Sequence, residues 1–213
     1  MTMLNTPVFG AAAPETFRDF MLALRPDPVS GKPDSAKMKA FRASHPDSLA
    51  QAAFLDRHNP PVSYANSAYF GIHSFHFINR EQKDSLVRWR FLPQDGEKRL
   101  SDEELKSRPA DFLEPALLAR MARGPVRWDF WLSIGQPGDV EDDPTIAWPE
   151  ERPRLKAGTL TLSSASPQAG GDCEKINFDP LVMADGIAPS HDPILLFRSP
   201  AYAVSFGKRL SGS

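Results

Sequence analysis

The stretch Tyr69–Leu92, "YFGIHSFHFINREQKDSLVRWRFL", decides the fold class. Its hydrophobic period is two, not 3.6. His73, Phe75 and Phe77 alternate with Ile72, Ser74, His76 and Ile78, so the two sets predict opposite faces of a strand. The polar "NREQKD" interrupts the run. Beyond it Val87, Trp89 and Phe91 share one face, with Arg88 and Arg90 opposite. Two alternating runs joined by a polar turn predict an antiparallel hairpin.

On the N-terminal side the period is helical. Phe17, Phe20, Met21 and Leu24 recur at the spacing of one helix face, after an opening at Ala13-Pro14-Glu15 and before Pro26 and Pro28. Asp34 or Ser35 caps a second helix that ends at His45-Pro46, and Asp47 opens a third to about Arg57. On the C-terminal side "SDEELK" has the capping-box pattern, with Ser101 as N-cap and Glu104 three residues on. A helical region follows to about Arg123, broken near Pro109 and Pro115. Trp128, Phe130, Leu132 and Ile134 alternate in a third strand, and Leu155 to Leu162 in a fourth. Asp192-Pro193 opens a last helix to about Leu210. Pro200 deletes one backbone hydrogen bond inside it and predicts a kink. The class is α+β, with four antiparallel strands forming part of a barrel or curved sheet whose edges need partners.

Bulk properties narrow the function. The 213 residues are 41% hydrophobic and 24% charged, the range of a soluble globular protein. A net charge of -2 gives no electrostatic case for nucleic acid or an anionic membrane surface. No apolar run approaches the ~18 residues of a membrane helix. The 21 prolines are scattered and predict a loop-rich chain. "MTMLNTPVFG" has no secretion-signal pattern. Cys173 is the one cysteine, in the polar turn "GGDCEK" with no paired base, and it permits no internal disulfide.

The candidate sites are few. His73 and His76 fall on opposite faces of a strand, which argues against a shared metal. "GDVEDDP" lacks the alternating ligands of a calcium loop and reads as a solvated turn. Arg198, Tyr202 and Arg209 share one helix face, at offsets of four and seven. A guanidinium one turn away favours a phenolate, and a phenolate is a hard oxygen ligand suited to ferric iron. On spacing alone, a helix-end tyrosine beside a surface arginine is the plainer reading.

The flanking sequence changes that balance. "FDPLVMADGIAPSHDPILLFRSPAYAVSFGKRL", Phe178–Leu210, resembles the proximal segment of the haem catalases, and more closely that of their short bacterial relatives, the catalase-related peroxidases. The matching residues are Phe178-Asp179-Pro180, Gly186-Ile187, Arg198, Tyr202 and Arg209, in family order. The resemblance extends to "NTPVF" from Asn5, to Phe17, to "FGIHSFHFIN" with His73, and to the stretch from Asp129 to Leu162. It implies a single catalase-like domain over residues 1–213. That domain has a distal segment at 1–25, barrel strands at about 69–163, a wrapping loop, and a proximal haem helix at about 193–210. It implies haem b (iron protoporphyrin) as cofactor, with Tyr202 as the iron ligand and Arg198 stabilising its phenolate. Arg209 meets a propionate, Phe17 stacks on the ring, and His73 and Phe178 line the pocket. Asn5 orients peroxide. The implied activity is reduction of hydrogen peroxide or organic hydroperoxides, with an electron donor the sequence does not name; hydroperoxide isomerisation uses the same scaffold. A homo-oligomer is compatible with the resemblance, and cytoplasm and periplasm stay open.

Two departures qualify it. The family's distal histidine and two propionate-holding arginines precede the asparagine, which here is residue five. The resemblance therefore implies the C-terminal portion of a larger protein, and for these residues alone it admits a truncated, non-catalytic haem binder, a degenerate fragment, or a piece unable to fold. "AVSF" after Tyr202 replaces the family's acidic-threonine segment.

Overall fold

The computed structural model describes residues 2–167 and 170–212. Three helices come first: α1 (Pro14–Ala23), α2 (Ser35–Ser44) and α3 (Leu49–Arg57). The strands and remaining helices follow as β1 (Tyr69–Phe70), β2 (Phe75–Ile78), β3 (Asp84–Pro93), α4 (Asp102–Ser107), α5 (Leu113–Met121), β4 (Val126–Ile134), β5 (Arg154–Leu162), β6 (Ile187–Pro189) and α6 (Pro193–Ser211). All strand pairings are antiparallel, in the order β5-β4-β3-β2-β6, with β1 also on β3. The sheet does not close on itself, so the expected α+β class and partial barrel are both found.

Local signals are met closely. Asp34 caps α2 by accepting from Ala36 N, and Ser101 and Glu104 form both bonds of the capping box. The β2–β3 turn is built on Asn79, whose side chain accepts from the amides of Glu81 and Lys83. The core is one face of the sheet: Val87, Trp89 and Phe91 of β3 with Val126, Trp128 and Leu132 of β4, closed by Leu195 of α6. Trp128 is anchored by donating its indole N–H to Ser67 O at 3.0 Å.

Two readings need correction. The strand predicted through Gly71–Ser74 is interrupted there. Phe70 pairs with Arg90 and Phe75 with Val87, so four residues of one strand face Arg88 and Trp89 alone. Gly71 permits this, because a Cβ on it would lie 2.3 Å from Trp89 Nε1. The excursion turns His73 and Ser74, both buried, away from regular pairing. β6, which the sequence did not suggest, takes the edge beside β2, where Ser190 N donates to Ser74 O. The helix carrying Pro200 runs through it without a break and ends at Gly212, whose φ of 69° is the left-handed cap that glycine favours.

Arg88 is not a surface residue. It is buried and donates to Ser74 Oγ (2.9 Å) and to the carbonyls of Ile146 (2.6 Å), Val140 (3.2 Å) and Asp143 (3.3 Å). Its guanidinium lies 4.8 Å from the Trp148 ring centre. Burial pushes it down to about 10, so it stays charged at neutral pH. The acidic turn is likewise not simply solvated. Asp139 is almost fully buried against Arg152, 2.7 Å from Nη2, and this pairing holds its carboxyl below the usual range. Arg88 thus binds the loop between β4 and β5 to the sheet through three of its carbonyls, and His76–Glu141 and Arg90–Glu150 add ion pairs at 3.5 and 3.7 Å. Arg88→Met removes the donor for three loop carbonyls. Because an opened loop rehydrates them, the expected loss is about 2 kcal/mol, with protease cleavage between residues 139 and 149 as the readout.

Candidate active site

The site forms where the interrupted strand meets the start of α6. Asp192 is fully buried at the N-cap, and its Oδ1 accepts from the amides of Ile194 (2.8 Å) and Leu195 (3.2 Å). Its other oxygen lies 2.6 Å from His73 Nδ1. A carboxylate can only accept, so Nδ1 carries the imidazole proton and Nε2 is left as a lone pair. Arg198 Nη1 donates to that lone pair at 3.0 Å, and Arg198 Nη2 donates to the Tyr202 hydroxyl oxygen at 2.8 Å. The result is a directed chain: Asp192, His73, Arg198, Tyr202. Every hydrogen bond in it is assigned a donor and an acceptor without conflict.

The electrostatics agree with that assignment. Burial pushes the His73 imidazole below its ordinary value, and the Asp192 carboxylate only partly opposes the shift. His73 is therefore neutral at neutral pH. A depressed folded value means that the unfolded chain binds the proton first as pH falls. Stability is lost from about pH 6.5 downward until the native imidazole itself protonates.

Tyr202, Arg198, His73 and Phe17 meet at one cavity of about 290 Å³, whose wall also holds Phe9 and Phe197. Phe17 is set there by a ladder of rings, 5.2 Å from Phe9 and 6.5 Å from Phe20. Phe178 lines a second, mainly apolar cavity of about 380 Å³, which shares His73 and Arg198 with the first. Both volumes are in the range of small-molecule pockets. Arg209 stands apart, exposed near the end of α6, with Nη2 donating to Ile176 O at 3.0 Å. Asn5 is exposed and belongs to neither cavity wall.

Two residues of the site were missed as such. Asp192 was legible as a helix cap; its contact with His73 spans 119 positions and leaves no local signal. Asp179 was legible as part of Phe178-Asp179-Pro180, but its contact with α6 was not. An Arg-x-x-His spacing occurs at Arg42–His45. It sits at the end of α2, with the His45 ring stacked 4.4 Å from that of Phe41, and His45 is in neither cavity wall.

The family model "Catalase" matches residues 1–213, and the chain belongs to the catalase family. It is 60% identical over 212 residues to a catalase-related peroxidase of Synechococcus elongatus, covering 100% of this chain and 62% of that protein. A catalase-related peroxidase of Mycolicibacterium paratuberculosis is 34% identical, over 92% of this chain and 61% of its own length. Catalase A from Saccharomyces cerevisiae shares the fold, with a TM-score of 0.89 at 21% identity, over 98% of this chain and 46% of that one. The chain thus spans a little under two thirds of the two peroxidases. Among the described residues, no helix is long and apolar enough to cross a membrane.

Proposed function

We propose that this chain carries the haem-binding part of a peroxidase or catalase that reduces hydrogen peroxide or organic hydroperoxides. The observation that carries the reading is the Asp192–His73–Arg198–Tyr202 chain ending in a phenol oxygen at a cavity wall. The residues present suit haem b. A phenol oxygen stands beside a guanidinium, and Phe9, Phe17 and Phe197 offer flat apolar surface for a ring. Ferric haem, when bound, would supply the redox chemistry that cleaves the peroxide O–O bond.

The protein's own part is to hold and polarise. Tyr202 is the iron ligand as phenolate. Arg198 donates to its oxygen and balances its charge. His73 and Asp192 hold Arg198 in plane. Phe17 packs on the ring, and Phe178 walls the neighbouring space. Arg209, which donates to Ile176 O here, would hold a propionate by a charge-assisted and therefore stronger bond. By its place in the family order Asn5 would orient the peroxide, from outside both described cavity walls. The electron donor and any assembly into homo-oligomers belong to the same proposal.

Proton transfer between the two peroxide oxygens needs an acid–base group at the pocket. In the described walls His73 is committed on both nitrogens and Asp179 is bonded to Ser199. This favours a second reading for the 213 residues by themselves: a haem binder with negligible turnover. Titrating the purified chain with hemin tests the first step. Saturable binding at one equivalent, lost in Tyr202→Phe, is the expected result, and its absence overturns the haem assignment. Peroxide consumption by the loaded chain then separates an enzyme from a binder.

A further inference from the structure

We infer that Asp179 and Ser199 form a clamp that positions Arg198, replacing the restraint that Pro200 removes from α6. The inference rests on the haem reading for its consequence in catalysis, but the clamp itself is a property of the chain alone. Pro200 has no N–H, so the carbonyl of Leu196 loses its usual helical partner in the turn that carries Arg198. Ser199 Oγ, within that same turn, donates to Asp179 Oδ2 at 2.6 Å. Asp179 is itself fixed, because its Oδ1 accepts from Leu181 N at 2.8 Å and its carbonyl from Val182 N at 3.3 Å. The Asp179 side chain is therefore held within its own turn, with one oxygen left for Ser199.

The placement gives the clamp its purpose. Phe178, Asp179 and Pro180 line the cavity that also holds His73 and Arg198. Arg198 must present one nitrogen to His73 and the other to Tyr202 at once, and a guanidinium is a rigid fork. A rotation of the turn that keeps one bond breaks the other. Restraining the residue beside Arg198 from the cavity side fixes that rotation. Asp179 and Ser199 are positioning residues. Neither touches the Tyr202 oxygen.

The test uses the full 213-residue chain without haem and Ser199→Ala, which keeps the helix and removes one hydroxyl. Amide exchange at residues 201–205 is expected to speed by about tenfold. The side-chain nitrogen resonances of Arg198 are expected to collapse toward one averaged environment. Ser199→Thr keeps a hydroxyl and is expected to restore both signals. Pro200→Ala in the Ser199→Ala background returns the backbone bond and is expected to recover most of the protection. Should Ser199→Ala destabilise the chain too far for measurement, Asp179→Ala, which removes the carboxylate that accepts from Ser199 Oγ, gives the same comparison. Unchanged Arg198 resonances in either variant overturn the clamp, as does a Pro200→Ala effect that merely adds. Because these readouts need no haem, a failure of hemin to bind leaves them intact and falls on the haem reading alone.

Discussion

Tyr202→Phe is expected to leave the fold in place and abolish the haem signature. The deleted atom is one oxygen, and its partner Arg198 keeps the bond to His73 Nε2. Tyr202 is only half-buried, so water reaches the vacated guanidinium nitrogen and the stability loss stays within about 1 kcal/mol. The loss of haem is a different matter. Phenylalanine offers iron no lone pair, and among the described residues no carboxylate lines that cavity. Residues that only stand behind a metal ligand typically cost about 10–100-fold when changed; removing the ligand itself costs more. The expected outcome is complete loss of the visible bands of the hemin-loaded chain, with thermal unfolding shifted by no more than a few degrees. A variant that kept the bands would make another side chain the ligand. Parallel loss of fold and bands would make Tyr202 structural.

The sequence showed the local relations of α6 more clearly than the sheet. Asp192 as a cap, Pro193 behind it, and Arg198 one turn before Tyr202 are all local relations, written within a few positions. The Ser101–Glu104 box and the Asn79 turn are legible for the same reason. The period-two run from Tyr69 gave the hairpin but not its interruption at Gly71–Ser74. That interruption depends on the Trp89 ring occupying the space where a side chain at position 71 would stand. Arg88 follows the pattern of an outward residue and lies buried, because the loop between β4 and β5 folds back over that face and offers it carbonyls. Alternation reports which residues share a face; it does not say whether another segment covers that face. The Asp179–Ser199 bond escapes both rules, since neither residue type nor period marks a partner 20 positions away across a turn.

Asp192 carries the larger effect on stability, and two substitutions separate its two roles. Asp192→Ala removes the cap, worth about 1 kcal/mol, and leaves the Nδ1–H of a buried histidine without an acceptor, a further ~1–3 kcal/mol. The expected total is about 3 kcal/mol, read as a fall in the denaturation midpoint. Asp192→Asn is more informative. Its amide oxygen still accepts from the amides of Ile194 and Leu195, so the cap survives. Its NH₂ then faces Nδ1, which must become the acceptor. The imidazole proton moves to Nε2, where it meets the Nη1 donor of Arg198. Two donors oppose each other, and Arg198 turns away from His73. Its grip on Tyr202 is lost with it, although neither residue has been altered. The charge that partly opposed the downward shift of His73 is also gone, so its native value falls further. The acid limb of the stability curve then still begins near pH 6.5 and falls over a wider range before levelling. Asp192→Asn is expected to retain most of the fold at pH 8, to go on losing stability to lower pH than the parent chain, and to bind hemin with altered visible bands. If Asp192→Asn matched the parent in both bands and acid limb, the tautomer assigned to His73 would be wrong, and the directed chain with it.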